Sequence, residues 1–426
     1  MIVCDKKALF YQPVIWVFEL IKKAYGIDLI YDPKFVVDIG VDDDSQIQIS
    51  NAFYVDLIQN GIYDHRHYFN DSPLILVDGA RGKAIPDYIS SIFYLVNGFQ
   101  EYQLSKTHMD NYGRLDFKHS LQSRFDVLRK DLVKEYVQML LFNIDPSLTI
   151  PAQKSRIFVS HDIDSVYGSL KYDGLWALKK GNLSEMMKVI IQTVLQNPPW
   201  FNIDAIAKLE DELDIKACYY WIVQNGRSKE GIKNGDYRFA QEKIQKQYHT
   251  AFQLGNEMGI HKSTLNSTVQ EELSEIKNAT SCRYHFLKIK NPSSFMEMEE
   301  SGIQSDSSIG FPYVMGFKNS FGMPYYPYGL EKKDSINVLE IPLHIMDGMF
   351  GIQDKKSCEN AFLEITQFIE ANSTNAIISI LWHNSEMTNF AYQWSFKCYK
   401  KLLHYFVDCS FETVLPSQLV NEYETA

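Results

Sequence analysis

From residue 155 onward the chain alternates short apolar runs with longer amphipathic stretches, and that rhythm limits the fold more than any other feature. Strands are predicted at "RIFVSHD", "KACYYWIV", "MGIHKS", "SCRYHFL", "NVLEIPLHI" and "AIISILWHN". Helices are predicted at "LSEMMKVIIQTVLQ", "IDAIAKLEDEL", "YRFAQEKIQKQYHTAFQLGN" and "CENAFLEITQFIEAN". Repeated strand–helix units lay parallel strands side by side under a layer of helices, which gives an α/β sheet or barrel. In such folds chemistry gathers at the carboxyl ends of the strands. What those ends carry is therefore the question to put to the sequence.

They carry ionisable groups. The first strand ends in His161-Asp162-Ile163-Asp164 and the third in His261. The fourth holds Arg283 and His285, and the last ends in Trp382-His383-Asn384. Side chains two apart on a strand share a face, so Asp162 and Asp164 can converge on one site. Two carboxylates held close divide their labour: one binds a divalent cation while the other accepts a proton. A cation on Asp164 and His261 would acidify a water and polarise a carbonyl, and Asp162 would take the proton as the water attacks. His383 would protonate a departing amine. Arg283 beside Asp162 would keep that carboxylate ionised and oriented. These are the parts of a metal-dependent amide or ester hydrolase.

The first 150 residues offer no comparable chemistry. A helix is predicted at "PVIWVFELIKKAYGI", ending at Gly26, with a strand at "SPLILVDG" and helices at "AIPDYISSIFYLVNGFQEY" and "SRFDVLRKDLVKEYVQMLLFNI". Asp42–Asp44 and the pair His65/His67 are expected to be solvated loop residues. The Pro-containing stretch "NIDPSLTIPAQKS" (143–155) sets a boundary between an N-terminal α/β domain, 1–150, and a catalytic domain, 151–426. A length of 426 residues suits two domains. A net charge of −11, with no long basic run, argues against a nucleic-acid backbone or an anionic membrane surface as the main partner. No apolar run reaches the ~18 residues a membrane span requires. Six scattered cysteines and an N-terminus without a signal-peptide pattern lead to the expectation of a cytoplasmic protein with reduced thiols. The aromatic share of 14% is assigned to core filling rather than to sugar stacking.

The order "HDID", "GNEMGIHKS", "RYHFL", "ILWHN" over residues 155–426 resembles the successive motifs of polysaccharide deacetylases of the carbohydrate esterase 4 type. The segments "GIQSDSSIGF", "GFKNSFGMPYYPY" and "LEIPLHIMD" resemble a divergent bacterial branch with an extra N-terminal domain, to which "SNAFY" and "YISSIFYLVNGFQEY" are also similar. The resemblance implies a distorted (β/α)7-type barrel behind a smaller mixed α/β domain. It implies a carbohydrate substrate, an N-acetylated glycan or glycolipid precursor, and a divalent metal, zinc first among the candidates. By the same resemblance Asp162 is the base, Arg283 its partner, Asp164 and His261 metal ligands, and His383 the acid.

One position departs from that pattern. Four residues after His261, where the family places a second histidine, this chain has Leu265. Two ligands hold zinc poorly, so the third donor would be Asn266, Ser267, His285 or His161, or further waters would take its place, and an oxygen donor would favour a harder ion. His161 is read first as a structural hydrogen-bonding residue and His285, between Tyr284 and Phe286, as a packing residue. Trp382 is expected to wall an acetyl-sized pocket, and "GFKNSFGMPYYPYGL" (316–330) to be a loop, a lid or a structural element. Leu265 also supports a different class, a catalytically impaired glycan binder. The "DIDSV" opening admits a third, a phosphohydrolase, which would require a downstream lysine and late acidic residues.

Overall fold

A computed structural model of the chain describes residues 2–426 apart from 33, 43, 79–82 and 196. Asp43, and Gly79 and Gln196 at the ends of two segments quoted above, lie outside the described residues. The N-terminal strands are β1 (Ile2–Val3), β2 (Val37–Gly40), β3 (Ile47–Gln48), β4 (Leu76–Asp78) and β5 (Ala84–Pro86). Then follow β6 (Arg156–Ile163), β7 (Ala217–Trp221), β8 (Glu257–Lys262), β9 (Ser281–Tyr284) and β10 (Ser305–Asp306). A small hairpin, β11 (Tyr328–Gly329) and β12 (Asp334–Ser335), precedes β13 (Leu339–Glu340), β14 (Ile345–Met346) and β15 (Ile377–Leu381).

Eight of these strands form one sheet in the order β13-β10-β9-β8-β7-β6-β15-β14, and every pairing in it is parallel. Its strands are apolar and buried on both faces, as parallel strands under helices must be; β7 is buried at all five residues. The sheet cannot lie open. Its two edges, β13 and β14, are separated by only four residues, so Glu340 and Ile345 lie within about 18 Å of each other at full extension. The same segment bonds to both sides: the N–H groups of Ile341 and Leu343 donate to Asp306 and Ile309, and that of His344 donates to Ser379. One stretch of chain therefore ties the two edges and curls the sheet in the manner of a barrel. Helices Ile203–Asp211, Glu242–Gln253, Lys355–Ala371 and Gln393–Asp408 turn their apolar faces to it.

The curl needs room inside. Tyr220 points inward from β7, and a Cβ on the neighbouring Gly259 would lie 2.4 Å from its ring, so glycine at 259 lets the tyrosine occupy the interior. The Arg283 guanidinium sits 4.3 Å over that ring. The sequence identified β6, β7, β8, β9 and β15 as strands; "NVLEIPLHI" became two short strands because it serves both edges.

In the N-terminal part, β1, β2 and β3 form a parallel sheet and β4–β5 an antiparallel pair. The expected first helix runs Tyr11–Tyr25 and stops at Gly26, whose φ of 70° lets its N–H reach the Lys22 carbonyl. The third expected helix is divided. Asp126 has φ 53°, and the helix proper is Leu132–Ile144, started by the Asp131 carboxylate accepting from the Lys134 N–H. Asp42 and Asp44 are exposed, as expected. His65 is not solvated: it is 8% exposed within the short helix His65–Tyr68, and burial pushes its imidazole down to about 4, whereas His67 is exposed beside Asp56.

The N-terminal part and the barrel share apolar core. Trp16, Phe18 and Phe93 belong to one cluster with Phe158, Tyr220, Phe321 and Tyr325. The 316–330 segment lies in this seam and is structural, with Trp16 Nε1 donating to the Tyr326 carbonyl and the Tyr328 N–H to Asn97 Oδ1. Gly316 (φ 145°) permits the approach, since a Cβ there would lie 2.4 Å from the Leu128 carbonyl oxygen.

Candidate active site

Strand alternation decides which groups meet. On β6, Ser160 and Asp162 turn inward while His161 turns to the helices. There His161 Nε2 lies 2.6 Å from Glu210 Oε1 and Nδ1 2.7 Å from the Trp382 carbonyl, fully buried, with Tyr219 also donating to Glu210. His161 is thus a structural residue, as first read. The same rule sends His261 of β8 inward and its neighbour Lys262 outward to Glu272.

Inside, Arg283 Nη1 donates to Asp162 Oδ1 and to Ser160 Oγ, both at 2.9 Å. Its Nε and Nη2 reach the Ser307 carbonyl and Oγ at 2.8 and 2.9 Å. Arg283 is fully buried and Asp162 3% exposed, so the carboxylate is held by a fixed, paired charge.

Beside this pair stand Asp164, His261 and His285, whose ligand atoms all lie within 4.8 Å of one another. His261 Nε2 is 3.1 Å from Asp164 Oδ1, and His285 Nε2 is 3.6 Å from Asp164 Oδ2. Each imidazole has its other nitrogen on an oxygen acceptor: His261 Nδ1 lies 2.8 Å from the Arg283 carbonyl and His285 Nδ1 3.2 Å from Asn234 Oδ1. Donation there lets each Nε2, once deprotonated, present its lone pair to a cation in the cluster. Asp164 Oδ1 is buried without a well-formed hydrogen bond. Two oriented imidazoles and an orphaned carboxylate oxygen fit a divalent cation.

The charge states agree. Burial opposes ionisation of Asp164, but His285 and His261 outweigh it and hold the carboxyl well below its usual range. Burial lowers His285, so it is the imidazole that gives up its proton more readily. Burial likewise acts against His261, yet Asp162 and Asp164 raise it above the ordinary imidazole value, so a cation entering the cluster would displace a proton there.

His383 follows β15 on the opposite wall. Its backbone N–H donates to Asp347 Oδ2 at 2.6 Å, and its Nδ1 lies 2.9 Å from Asp347 Oδ1. Nε2 is left facing the pocket, 3.7 Å from Asp164 Oδ2. Burial lowers this imidazole, but Asp347 and then Asp164 and Asp162 prevail and raise it to about 10. Trp382 does not wall the pocket: it is fully buried, on the helix-facing side, with Nε1 donating to Ser395 Oγ. Its neighbours Leu381 and His383, two apart, line the pocket instead.

Asp162, Asp164, His261, His285, Asp347 and His383 surround a cavity of about 190 Å³ closed by Leu287, Met346, Leu381 and Tyr313. Of the four named third donors, His285 stands in the cluster, while Asn266 is exposed and does not line the cavity. Ser267 Oγ is bonded to Glu272, and His161 faces away. His285, expected to pack, does pack on Phe286 at 4.2 Å, and as the residue two after inward-facing Arg283 it also reaches the cluster. Phe286 and Leu287, which follow, have φ of 60° and 53°, a conformation that costs bulky residues about 1–3 kcal/mol each. The first segment holds that turn. Arg114 Nη1 donates to the Phe286 carbonyl, Nε donates to Asp110 Oδ2, and the Tyr112 ring stacks on Phe286 at 4.8 Å. Arg114 thus lines the pocket from a segment in which the sequence showed no chemistry. Asp347 was equally unassigned, although it closes "LEIPLHIMD" at a strand end.

Residues 28–146 match the model of a family of unknown function, DUF7033. No curated protein matches the chain. Among solved structures, one from Mycobacterium smegmatis, provisionally described as a polysaccharide deacetylase, is similar at 10% identity and a TM-score of 0.42, covering 65% of this chain and 93% of that one. A 4-alpha-glucanotransferase from Thermococcus litoralis is similar at 10% identity and a TM-score of 0.37, covering 63% of this chain and 40% of that one. Likenesses this slight carry no argument about activity.

Proposed function

We propose that the chain is a metal-dependent hydrolase that removes N-acetyl or related acyl groups from a sugar of a glycan or glycan precursor, in the manner of carbohydrate esterase 4 deacetylases. In this reading residues 1–150 are an N-terminal α/β domain and 151–426 a deacetylase-like barrel. The observation that carries it is the convergence of the Asp164–His261–His285 cluster, the Asp162–Arg283 pair and the His383–Asp347 pair on one cavity.

A divalent cation held by Asp164, His261 and His285, zinc by the nitrogen-rich donor set, supplies Lewis-acid polarisation and a water of lowered pKa. Asp162, ionised against Arg283, accepts a proton from the attacking water. Asp347 holds the His383 ring in one orientation and keeps Nε2–H protonated for delivery to the departing amine. Leu287, Leu381 and Met346 exclude water from the side where an acyl methyl would lie.

His285 weakens the argument for an impaired glycan binder, because it provides a third donor where Leu265 cannot. No lysine lines the cavity among the described residues, and Asp347 pairs with His383 rather than with a second acid, which counts against a phosphohydrolase. The test is acetate release from N-acetylated sugar oligomers by zinc-loaded and chelator-treated protein. Release that depends on zinc supports the proposal; metal-loaded protein with no release from any such oligomer sinks it.

A further inference from the structure

Ten of the 21 exposed large apolar residues among those described fall between residues 167 and 195. Two helices there, Ser169–Lys179 and Leu183–Val194, pack against each other as a hairpin joined through Gly181 (φ 68°). On the second helix Leu183, Met187, Ile191 and Val194 follow helical spacing along one stripe, and all point to solvent, Leu183 at 61% and Val194 at 74% exposure. Leu175 and Leu178 extend the face on the first helix. A surface helix in water normally buries such a stripe, so this one is built for another medium or partner.

Charge identifies the medium. The hairpin carries exposed Lys171, Lys179, Lys180 and Lys188, against only two acids, Asp173 and Glu185. Asp173 is buried, its Oδ1 accepting from the Ala391 N–H. Within a chain of net charge −11 this segment is locally basic. Two copies meeting face to face would bring their lysines together, whereas anionic headgroups would neutralise them. An apolar stripe bordered by lysines is the pattern of a helix lying in a bilayer interface.

The hairpin is also tied, through the segments that flank it, to the strand end that carries His383. It begins five residues after Asp164, and Asn384, next to His383, donates through Nδ2 to the Ser165 and Trp200 carbonyls at its two ends.

We propose that the 169–194 hairpin docks the protein on an anionic membrane surface, its leucines at the acyl boundary and its lysines among the headgroups. The docking stands on its own. That the substrate is a glycan carried on a lipid at the same surface rests on the hydrolase reading. The test is co-sedimentation of the full chain with phosphatidylcholine vesicles, with and without phosphatidylglycerol. The full chain is expected to pellet with the anionic vesicles and to be released by salt. Replacing one lysine by glutamine should weaken binding about fivefold, and Leu183→Glu with Ile191→Glu should abolish it, with unchanged circular dichroism. Asp162→Asn should bind as the parent does, so loss of turnover and loss of docking are distinguishable. Parent protein remaining in the supernatant, or an equal pellet from the double glutamate variant, would overturn the proposal. So would a vesicle-free dimer by light scattering that the double glutamate variant converts to monomer, since a second copy would then occupy the face.

Discussion

Replacing Arg283 by Met isolates what the buried pair contributes. Methionine retains much of the apolar stem but removes the guanidinium that reaches Asp162, Ser160 and both oxygens of Ser307. Arg283 is fully buried and Asp162 nearly so, so bulk solvent is a poor substitute for those donors. Stranding one partner of such a pair costs about 3–5 kcal/mol, most of it from the carboxylate left unpaired. The Arg283→Met/Asp162→Leu double variant should recover much of that loss, because two apolar groups replace the pair. Equilibrium urea unfolding in chelator separates these effects from metal binding. A single variant destabilised by less than about 1 kcal/mol would refute the claim that Asp162 depends on Arg283. So would a double variant no better than the sum of the two singles.

Asp162→Asn should abolish acetate release while the protein still binds zinc by equilibrium dialysis, since the base is lost and the three ligands remain. His383→Ala should slow turnover by about 10²–10⁴. Asp347→Asn removes the charge that raises His383 from its ordinary value to about 10, so the protonated acid is lost at lower pH. The alkaline limb of kcat/KM should move down, and an unmoved limb would dissociate Asp347 from the acid. Arg114→Ala frees the turn that follows His285 and should weaken zinc binding; unchanged zinc affinity would leave Arg114 a structural brace only.

The alternating pattern after residue 155 revealed most of the sheet, because buried parallel strands are continuous apolar runs that need no tertiary information to recognise. The inward groups Asp162, Asp164, His261, Arg283 and His383 were legible for the same reason: each lies at or near a strand end, where side-chain direction follows a period of two. That rule also explains Trp382, which lies between two pocket residues and therefore faces the other way. What was hidden depends on irregular backbone. The left-handed turn at Phe286 and Leu287, on which Arg114 closes, is marked by no glycine in "RYHFL", whereas His285 itself, two after Arg283, obeys the period-two rule. Arg114 arrives from about 170 residues away through a turn in "NYGRLDF", a contact no local pattern encodes. The double use of "NVLEIPLHI" at both sheet edges was likewise invisible until the edges were brought together.

The donor set is the point on which the chemistry turns, and crystals of zinc-loaded protein measured at the zinc absorption edge would read it directly. One ion per chain is predicted, bound by Asp164 Oδ, His261 Nε2 and His285 Nε2, and lost in His285→Ala. An ion seated elsewhere, or full occupancy retained without His285, would contradict it.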